Sequence, residues 1–327
     1  MSSSRPLVSV CIPVFNGEAF LEEAVRSVLS QTFADVEVCI QDNASTDRSW
    51  EIAQSFGDPR VKPERNPTNV GFVANFNRTF LRAEGKYVRP LCADDALEPA
   101  CLERQLSLIA ERDDLQVVFT AFTALDLLGR RTPSQFEGLY ARLPSLLGPE
   151  AAARLYFDEG CVTALSTALA EKERMGLFDL SFKHACDWAK WVELLSKGPI
   201  GFIREPLTCI RLHAGQLSAG PLANAVEESF RVLDSLEPLL PLDPSRIKAR
   251  RRAYSSSFLE TALRRALRGS WAEAYSILGS VRRHDSVVGA AAAWPRSVPS
   301  RLLSLRRRRA EGLRRRVEDV RGNSPKE

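Results

Sequence analysis

VSVCIPVFNGEAFLEEAVRSVLSQTF, residues 8–33, changes its period halfway along. Leu7 to Ile12 is an unbroken apolar run rich in β-branched residues, and Pro13 closes it. Such a run reads as a strand buried on both faces of a sheet. Leu21, Ala24, Val25, Val28 and Leu29 then recur at i, i+3, i+4, i+7 and i+8, which is one face of an amphipathic helix. A buried strand that runs straight into a helix is the opening of a βαβ unit.

The alternation continues downstream. Val36 to Ile40 reads as a strand, DNASTD (42–47) as a polar turn, and the segment around Trp50 to Phe56 as a helix. Val61 begins a third strand, Phe72 to Ala83 has a helical pattern, and Lys86 to Leu91 is again strand-like. Leu102 to Ile109 (helix) and Gln116 to Ala124 (strand) complete the series. Strands alternating with helices predict an α/β fold with a mostly parallel central sheet.

In open sheets of this kind, ligands bind beyond the carboxyl ends of the strands. Pro13 to Asn16, Asp42 to Asp47 and Asp94-Asp95 each lie just past a predicted strand end. Three polar clusters are therefore expected on one edge. Asp42 is placed to accept hydrogen bonds from a base imide or a ribose hydroxyl; the plainer role is that of a turn residue capping the next helix. Asp47 reads as such a cap. Asn69 and Gly71 occupy a turn before a helix, where local turn chemistry and ligand contact both remain open. Asp94 and Asp95 repel each other unless a cation sits by them. A Mg²⁺ or Mn²⁺ ion bridging a diphosphate would supply that charge, because hard cations take carboxylate and phosphate oxygens. A solvated loop pair is the alternative.

Composition narrows the class. The chain has 327 residues, 44% of them hydrophobic and 26% charged, as in ordinary water-soluble proteins. Its length favours one large domain with an appendage. Seven cysteines occur without CxxC pairs, several of them in apolar runs, which predicts reduced core thiols and a reducing compartment. MSSSRP leads directly into the first strand without a secretory pattern, and no apolar stretch reaches the roughly 18–20 residues of a spanning helix. The expected location is cytoplasmic. The net charge of +4 hides an asymmetry: from Arg246 onward there are 21 Lys and Arg against 7 Asp and Glu, whereas the first 245 residues carry 24 against 34. A cationic tail on an anionic body suggests different partners for the two parts.

Taken in order, VSVCIPVFNGEAFLEEAVRSVLSQTF, DNASTD, NPTNVGFVANFN (66–77) and EGKYVRPLCADD (84–95) resemble the family 2 glycosyltransferases of the GT-A fold. MGLFD (175–179), CDWAKWVELLSKG (186–198) and REPLTCIRLHAGQLS (204–218) extend the resemblance, so that it spans Leu7 to Ser218. The resemblance implies a GT-A domain over residues 1–220, with a donor half to about 125 and an acceptor half from about 126. It also implies a metal-dependent inverting transfer from a UDP or dTDP sugar to a hydroxyl of a glycan or lipid-linked acceptor, in cell-surface polysaccharide synthesis. Pro13, Phe15, Asn16, Asp42, Asn69 and Gly71 would then hold the nucleotide. Asp94 would handle the diphosphate, and Asp95 would be the direct metal ligand. Asp187 corresponds to the general base that takes the acceptor proton; the plainer role is a helix N-terminal carboxylate favoured by the dipole. Arg211 and His213 would meet the diphosphate or metal, or else serve the loop that carries them. Trp188 and Trp191 read as core, or as an acceptor wall.

The chain departs from the family pattern at several positions. Phe15 stands for the common tyrosine, Asn43 and Ala44 for a frequent acid and glycine, Cys92 for an acid two residues before the pair, and Cys186 for the Glu before the base. These changes bear on nucleotide choice and metal binding.

Residues 221–327 read as a basic helical extension. Tyr254 to Leu267 and Trp271 to Val281 predict two helices joined at Gly269-Ser270. Beyond Pro299, Leu303, Ala310, Leu313, Val317 and Val320 form a stripe flanked by Arg306 to Arg309 and Arg314 to Arg316. Such a basic amphipathic helix suits the inner face of an anionic membrane, although a solvated helix has the same pattern. No aromatics interleave with the arginines, and nucleic acid is not an expected partner. GxGxxG is absent after the first strand and GxSxG is absent throughout, against a nicotinamide dehydrogenase or a serine hydrolase. The remaining alternatives are a sugar-nucleotide-binding scaffold without catalysis and a nucleotidyltransferase. The latter would want a Gly-rich basic phosphate loop where Pro13 to Gly17 stands.

Overall fold

The computed structural model describes residues 5–213, 222–286 and 289. In chain order these give β1 (Val8–Val14), α1 (Leu21–Leu29), β2 (Val36–Asp42), α2 (Ser49–Ser55), β3 (Val61–Arg65), α3 (Phe72–Arg82), β4 (Tyr87–Pro90), β5 (Ala96–Leu97), α4 (Cys101–Glu111) and β6 (Val117–Leu125). There follow β7 (Arg131–Pro133), α5 (Glu137–Tyr140), β8 (Leu146–Leu147), α6 (Pro149–Glu159), β9 (Ala168–Glu171), α7 (Lys172–Met175), α8 (Cys186–Leu195), β10 (Ile200–Arg211), α9 (Leu222–Leu236), α10 (Pro244–Ala266) and α11 (Trp271–His284).

All seven residues of β1 and all seven of β2 are buried, as a continuous apolar run predicts for strands covered on both faces. The sheet runs β3-β2-β1-β4-β9-β6-β10-β5, with β7 on β6 and β8 on β10. The pairs β3–β2, β2–β1, β1–β4 and β6–β10 are parallel. Between the two parallel halves stands β9, antiparallel to β4 and to β6. The predicted parallel arrangement is present in the long pairings, with β9 antiparallel between the two halves and the short β5, β7 and β8 antiparallel on β10 and β6.

Val8, Val10 and Ile12 of β1 share one core cluster with Leu21, Ala24, Val25 and Val28 of α1. Burying an aliphatic side chain of this size stabilises by about 1.5–3 kcal/mol, so this face holds α1 to the sheet. Ser9 of β1 and Glu37 of β2 are polar side chains buried in these strands. Ser9 Oγ donates to Glu37 Oε1 at 2.5 Å, and the Gly85 and Glu84 N–H groups bond to Ser9 Oγ and Glu37 Oε1 at 2.8 and 2.7 Å. A Cβ on Gly85 would lie 2.6 Å from Ser9 N, so only glycine lets the α3–β4 connection run this close to β1.

The chain divides into two compact units, Met1–Pro241 and Leu242–Glu327. In the second, the sequence pattern predicts a helix only from Tyr254, but α10 starts ten residues earlier. Asp243 caps it, accepting from the N–H groups of Ser245 and Arg246 at 2.8 and 3.2 Å, with Pro244 in the first turn. The arginine-rich first turns lack an apolar stripe, and that hid them. The α10–α11 turn falls at the predicted Gly269, whose φ is +83°. The basic stripe beyond Pro299 lies outside the described residues. No described helix is long and apolar enough to cross a membrane.

Candidate active site

Three loops meet beyond the carboxyl ends of β1, β2 and β4. Backbone–side-chain bonds latch the first two together. Asn16 N donates to Ser45 Oγ at 3.0 Å, Thr46 N donates back to Asn16 Oδ1 at 2.9 Å, and Gly17 N donates to Ser49 Oγ at 2.8 Å. Asn16 adopts φ +52° to make this exchange, and Ala44 opposite it adopts φ +58°. Asp47 accepts from Ser49 N and Glu18 N at 3.0 Å each, combining the expected helix-start role with a second latch. The third loop touches the first at Gly17, where a Cβ would come within 3.6 Å of Ala93. Phe15 projects from this rim, 49% exposed, while Pro13 remains inside β1 opposite Gln41.

Asp42 ends β2 with no exposed surface. Its Oδ2 takes the Arg65 guanidinium at 3.0 Å and the Ser45 N–H at 3.1 Å, while its Oδ1 is buried and has no partner. An unmet carboxylate oxygen in the interior costs on the order of 1–3 kcal/mol or more, unless a ligand donates to it. Arg65 carries no signal in the sequence beyond its place at the end of β3.

Asn69 and Gly71 belong to an amide network. Asn43 Nδ2 donates to Asn69 Oδ1, which also accepts from Gly71 N, both at 2.9 Å. Asn43 Oδ1 in turn accepts from Asn66 Nδ2 and Val70 N. Asn69 therefore orders its own turn, and Gly71 starts α3 at φ +86°, a conformation open chiefly to glycine.

The acidic pair lies past the end of β4, as the sequence places it. It sits in a turn after β4, closed by Asp95 N donating to Cys92 O at 3.1 Å. Asp95 is buried, and its two oxygens accept from Ser166 Oγ at 2.6 Å and from Arg211 N at 3.0 Å. Burial first, and the neighbouring Asp94 charge second, push the Asp95 carboxyl up to about 8. Asp94 Oδ2 lies 2.8 Å from His213 Nε2. The sulfur of Cys92 and one carboxylate oxygen each of Asp94 and Asp95 lie within 4.8 Å of one another. Two adjacent carboxylates, one raised by burial and like charge, are what a divalent cation relieves, so the donor set fits one.

For Arg211 the sequence leaves open a guanidinium that faces phosphate or one that serves its own loop; it is 2% exposed at the end of β10 and is engaged with the protein. It pairs with Glu23 at 2.6 Å, donates to the Asp94 and Asp126 carbonyls at 3.0 and 3.2 Å, and stacks 4.6 Å over the Phe20 ring. Its work is to hold the acidic turn. Arg89, wholly buried, supports the same turn from below, donating to Ser166 O at 2.7 Å, Thr208 Oγ1 at 3.0 Å and Gln105 Oε1 at 3.0 Å. Neither Arg89 nor Ser166 was readable as a site residue, because their partners are 16 to 119 residues away in sequence.

Asp187 lies in the first turn of α8. Its Oδ1 accepts from Trp188 N at 2.7 Å, and Cys161 Sγ approaches its Oδ2 at 3.9 Å. Burial raises its carboxyl from the usual range to about 6. Its charge is felt at Cys92, where it joins Asp95 and Asp94 in raising the thiol behind the larger effect of burial, so the two acidic centres share one neighbourhood. The turn before it is fixed by Glu228 of α9, whose carboxylate accepts from the N–H groups of Lys183, His184 and Ala185 at 2.9, 2.7 and 2.8 Å. Trp188 and Trp191 are buried, Trp191 edge-on to Phe119 at 4.9 Å, in keeping with core roles.

Residues 9–167 match the family model described as Glycosyl transferase family 2. The putative teichuronic acid biosynthesis glycosyltransferase TuaG of Bacillus subtilis is 30% identical over 204 residues, covering 61% of this chain and 75% of that one. The UDP-Glc:alpha-D-GlcNAc-diphosphoundecaprenol beta-1,3-glucosyltransferase WfaP of Escherichia coli is 27% identical over 233 residues, covering 70% and 86%. Among solved structures, S. aureus TarS (1-349) in complex with UDP-GlcNAc superposes with a TM-score of 0.60 at 18% identity, covering 92% of this chain and 91% of that one. That likeness shows the GT-A type of α/β fold.

Proposed function

Because the chain belongs to glycosyl transferase family 2 and is a glycosyltransferase, we propose that it moves a sugar from a UDP or dTDP sugar, with inversion, to a hydroxyl of a glycan or lipid-linked acceptor. The observation that carries the donor half of this reading is the partnerless Oδ1 of Asp42. A uracil or thymine imide N–H is a donor of the kind that oxygen lacks. Phe15, exposed beside it on the rim, offers a ring face to the base, and Pro13, Asn16, Asn69 and Gly71 shape the walls. The names of WfaP and of the TarS complex speak of UDP sugars, which makes UDP the first nucleotide to test.

Asp95 and Asp94 would hold a Mg²⁺ or Mn²⁺ ion, with His213 against Asp94. When bound, such an ion offsets the charge of the diphosphate and stabilises it as a leaving group. Asp187 acts as general base. Its carboxylate takes the acceptor proton while the acceptor oxygen bonds to the anomeric carbon. The bond from that carbon to the diphosphate oxygen breaks on the opposite side, and the electron pair leaves with the nucleoside diphosphate. A base that titrates at about 6 is ionised at neutral pH, yet more basic than an ordinary aspartate. The lipid-linked acceptor is favoured by the basic stripe beyond Pro299 and by the acceptor named for WfaP.

Calorimetric titration of UDP with and without Mn²⁺, into wild type, Asp42→Ala and Asp95→Ala, tests the reading. Wild type is expected to bind UDP more tightly with Mn²⁺. Asp42→Ala should lose about 10- to 100-fold with or without the metal, as expected for a hydrogen bond to a charged group. Asp95→Ala should lose only the Mn²⁺-dependent part. Equal UDP affinity in wild type and Asp42→Ala would remove Asp42 from nucleotide recognition.

A further inference from the structure

We propose that Cys92 supplies a sulfur ligand to the cation site of Asp94 and Asp95, so that this transferase discriminates against Mg²⁺ in favour of thiophilic divalent ions. The proposal rests on the reading that a cation binds at the acidic pair. Three observations carry it beyond that reading.

The first is distance. The Cys92 sulfur and the two carboxylate oxygens lie within 4.8 Å of one another. Three donors sharing one tetrahedral ion stand about 3.3–3.7 Å apart, given metal–sulfur bonds of about 2.3 Å and metal–oxygen bonds of about 2.0–2.2 Å. The present spacing therefore closes around an ion with side-chain movements of about 1 Å or less. The second is rigidity. One hydroxyl, Ser166 Oγ, accepts from Cys92 N at 2.9 Å and donates to Asp95 Oδ2 at 2.6 Å, so both ends of the turn hang from the same atom. Arg89 fixes the backbone of Ser166 in turn. The third is setting. Cys11, Cys39 and Cys101 are wholly or almost wholly buried in the core, whereas Cys92 is partly exposed on the edge where the loops meet.

The chemistry follows from donor softness. Mg²⁺ demands oxygen ligands in near-ideal octahedral geometry, and a sulfur in the set penalises it. Co²⁺, Zn²⁺ and Cd²⁺ accept thiolate and carboxylate together. On coordination the Cys92 thiol proton leaves to solvent as the sulfur–metal bond forms. The hydrogen bonds on Asp95 do not compete, since each carboxylate oxygen has a second lone pair for the ion.

The test is a Co²⁺ titration of the full chain, with and without UDP, followed through the near-ultraviolet sulfur-to-cobalt charge-transfer band. Wild type is expected to develop the band, and Cys92→Ser to lose it while still binding Mn²⁺ by calorimetry. Cys92→Ser should also bind Cd²⁺ at least about tenfold more weakly, the scale of losing a metal-supporting group, with Mg²⁺ affinity changed by less than about threefold. Cys92→Ala, with thermal melting of both variants, separates loss of the ligand from loss of the fold. Co²⁺ binding without the band, or a band that survives in Cys92→Ser, overturns the sulfur ligand and leaves the transferase reading standing. Absence of any divalent-ion binding by wild type, with or without UDP, overturns the cation dependence and the sulfur ligand together.

Discussion

At the scale of single residues, Asp187 carries two opposed consequences of one environment. Burial raises its carboxyl to about 6, so that under the proposed general-base role transfer should fade as pH falls through that value. A pH–rate profile of kcat should show an acid limb near pH 6. Asp187→Asn should lower kcat by about 10²- to 10⁴-fold, the usual worth of a general base, and flatten that limb, with UDP affinity retained. The same raised pKa makes the ionised carboxylate a burden on the fold. Its contribution to stability is fully present below the unfolded value near 4 and is lost as pH rises through about 6. Asp187→Asn should therefore be about 3 kcal/mol more stable than wild type at pH 8, with the difference vanishing near pH 4, as denaturant titrations at the two values will read. Ala44 is a milder case of local cost. Its φ of +58° is the conformation for which the family uses glycine, and Ala44→Gly should raise stability by about 0.5–1 kcal/mol in the same assay. At this scale the sequence was legible wherever a residue type has few uses. Adjacent carboxylates after a strand and an acid at a helix start announce themselves. Arg211 did not, because an arginine reads alike whether it faces a phosphate or is buried against Glu23 and two carbonyls.

Elements were legible to the extent that their signal is local. The β1 and β2 segments declare themselves as short apolar runs buried on both faces, and α1 and α3 by helical period. The strand β9 did not. Its residues, Ala168–Glu171, are only four and show no clear period, and what makes them a strand is pairing with β4 and β6, 49 to 84 residues away in sequence. The site has the same division. Three loops at one sheet edge follow from topology, but the bonds that fix the turn before Asp187 come from α9. Glu228 accepts three backbone N–H groups just before α8, and nothing in EESF marks it for that role. Glu228→Ala should leave those donors unmet and cost about 3–5 kcal/mol, since hydrogen bonds to a charged acceptor are worth about 1.5–3 kcal/mol each and water replaces part of them. A folded preparation at low temperature should bind UDP normally but show kcat reduced with little change in donor KM, because only the helix carrying the base is loosened. A rise in donor KM without loss of kcat would instead tie Glu228 to the donor side.

For the whole molecule the decisive quantity is the charge asymmetry, which no single element displays. An anionic body with 24 basic and 34 acidic residues is joined to a tail with 21 and 7. An anionic bilayer attracts the second and repels the first, so a peripheral enzyme of this composition would meet the surface tail first. Each Lys or Arg held near such a surface contributes about 1 kcal/mol at moderate ionic strength, and the seven arginines of 306–309 and 314–316 are clustered enough to act together. The stripe of Leu303, Leu313, Val317 and Val320 would add apolar burial at the interface. Removing residues 299–327 should therefore reduce binding to phosphatidylglycerol-containing vesicles by at least about tenfold in cosedimentation, and more at low salt than at high salt. UDP affinity and the melting temperature of the remainder should stay unchanged, because the donor site lies wholly within Met1–Pro241. If the shortened chain sediments with vesicles as well as the full one does, the arginine-rich segment 299–327 is not the anchor, and the arginines of α10 become the next segment to neutralise.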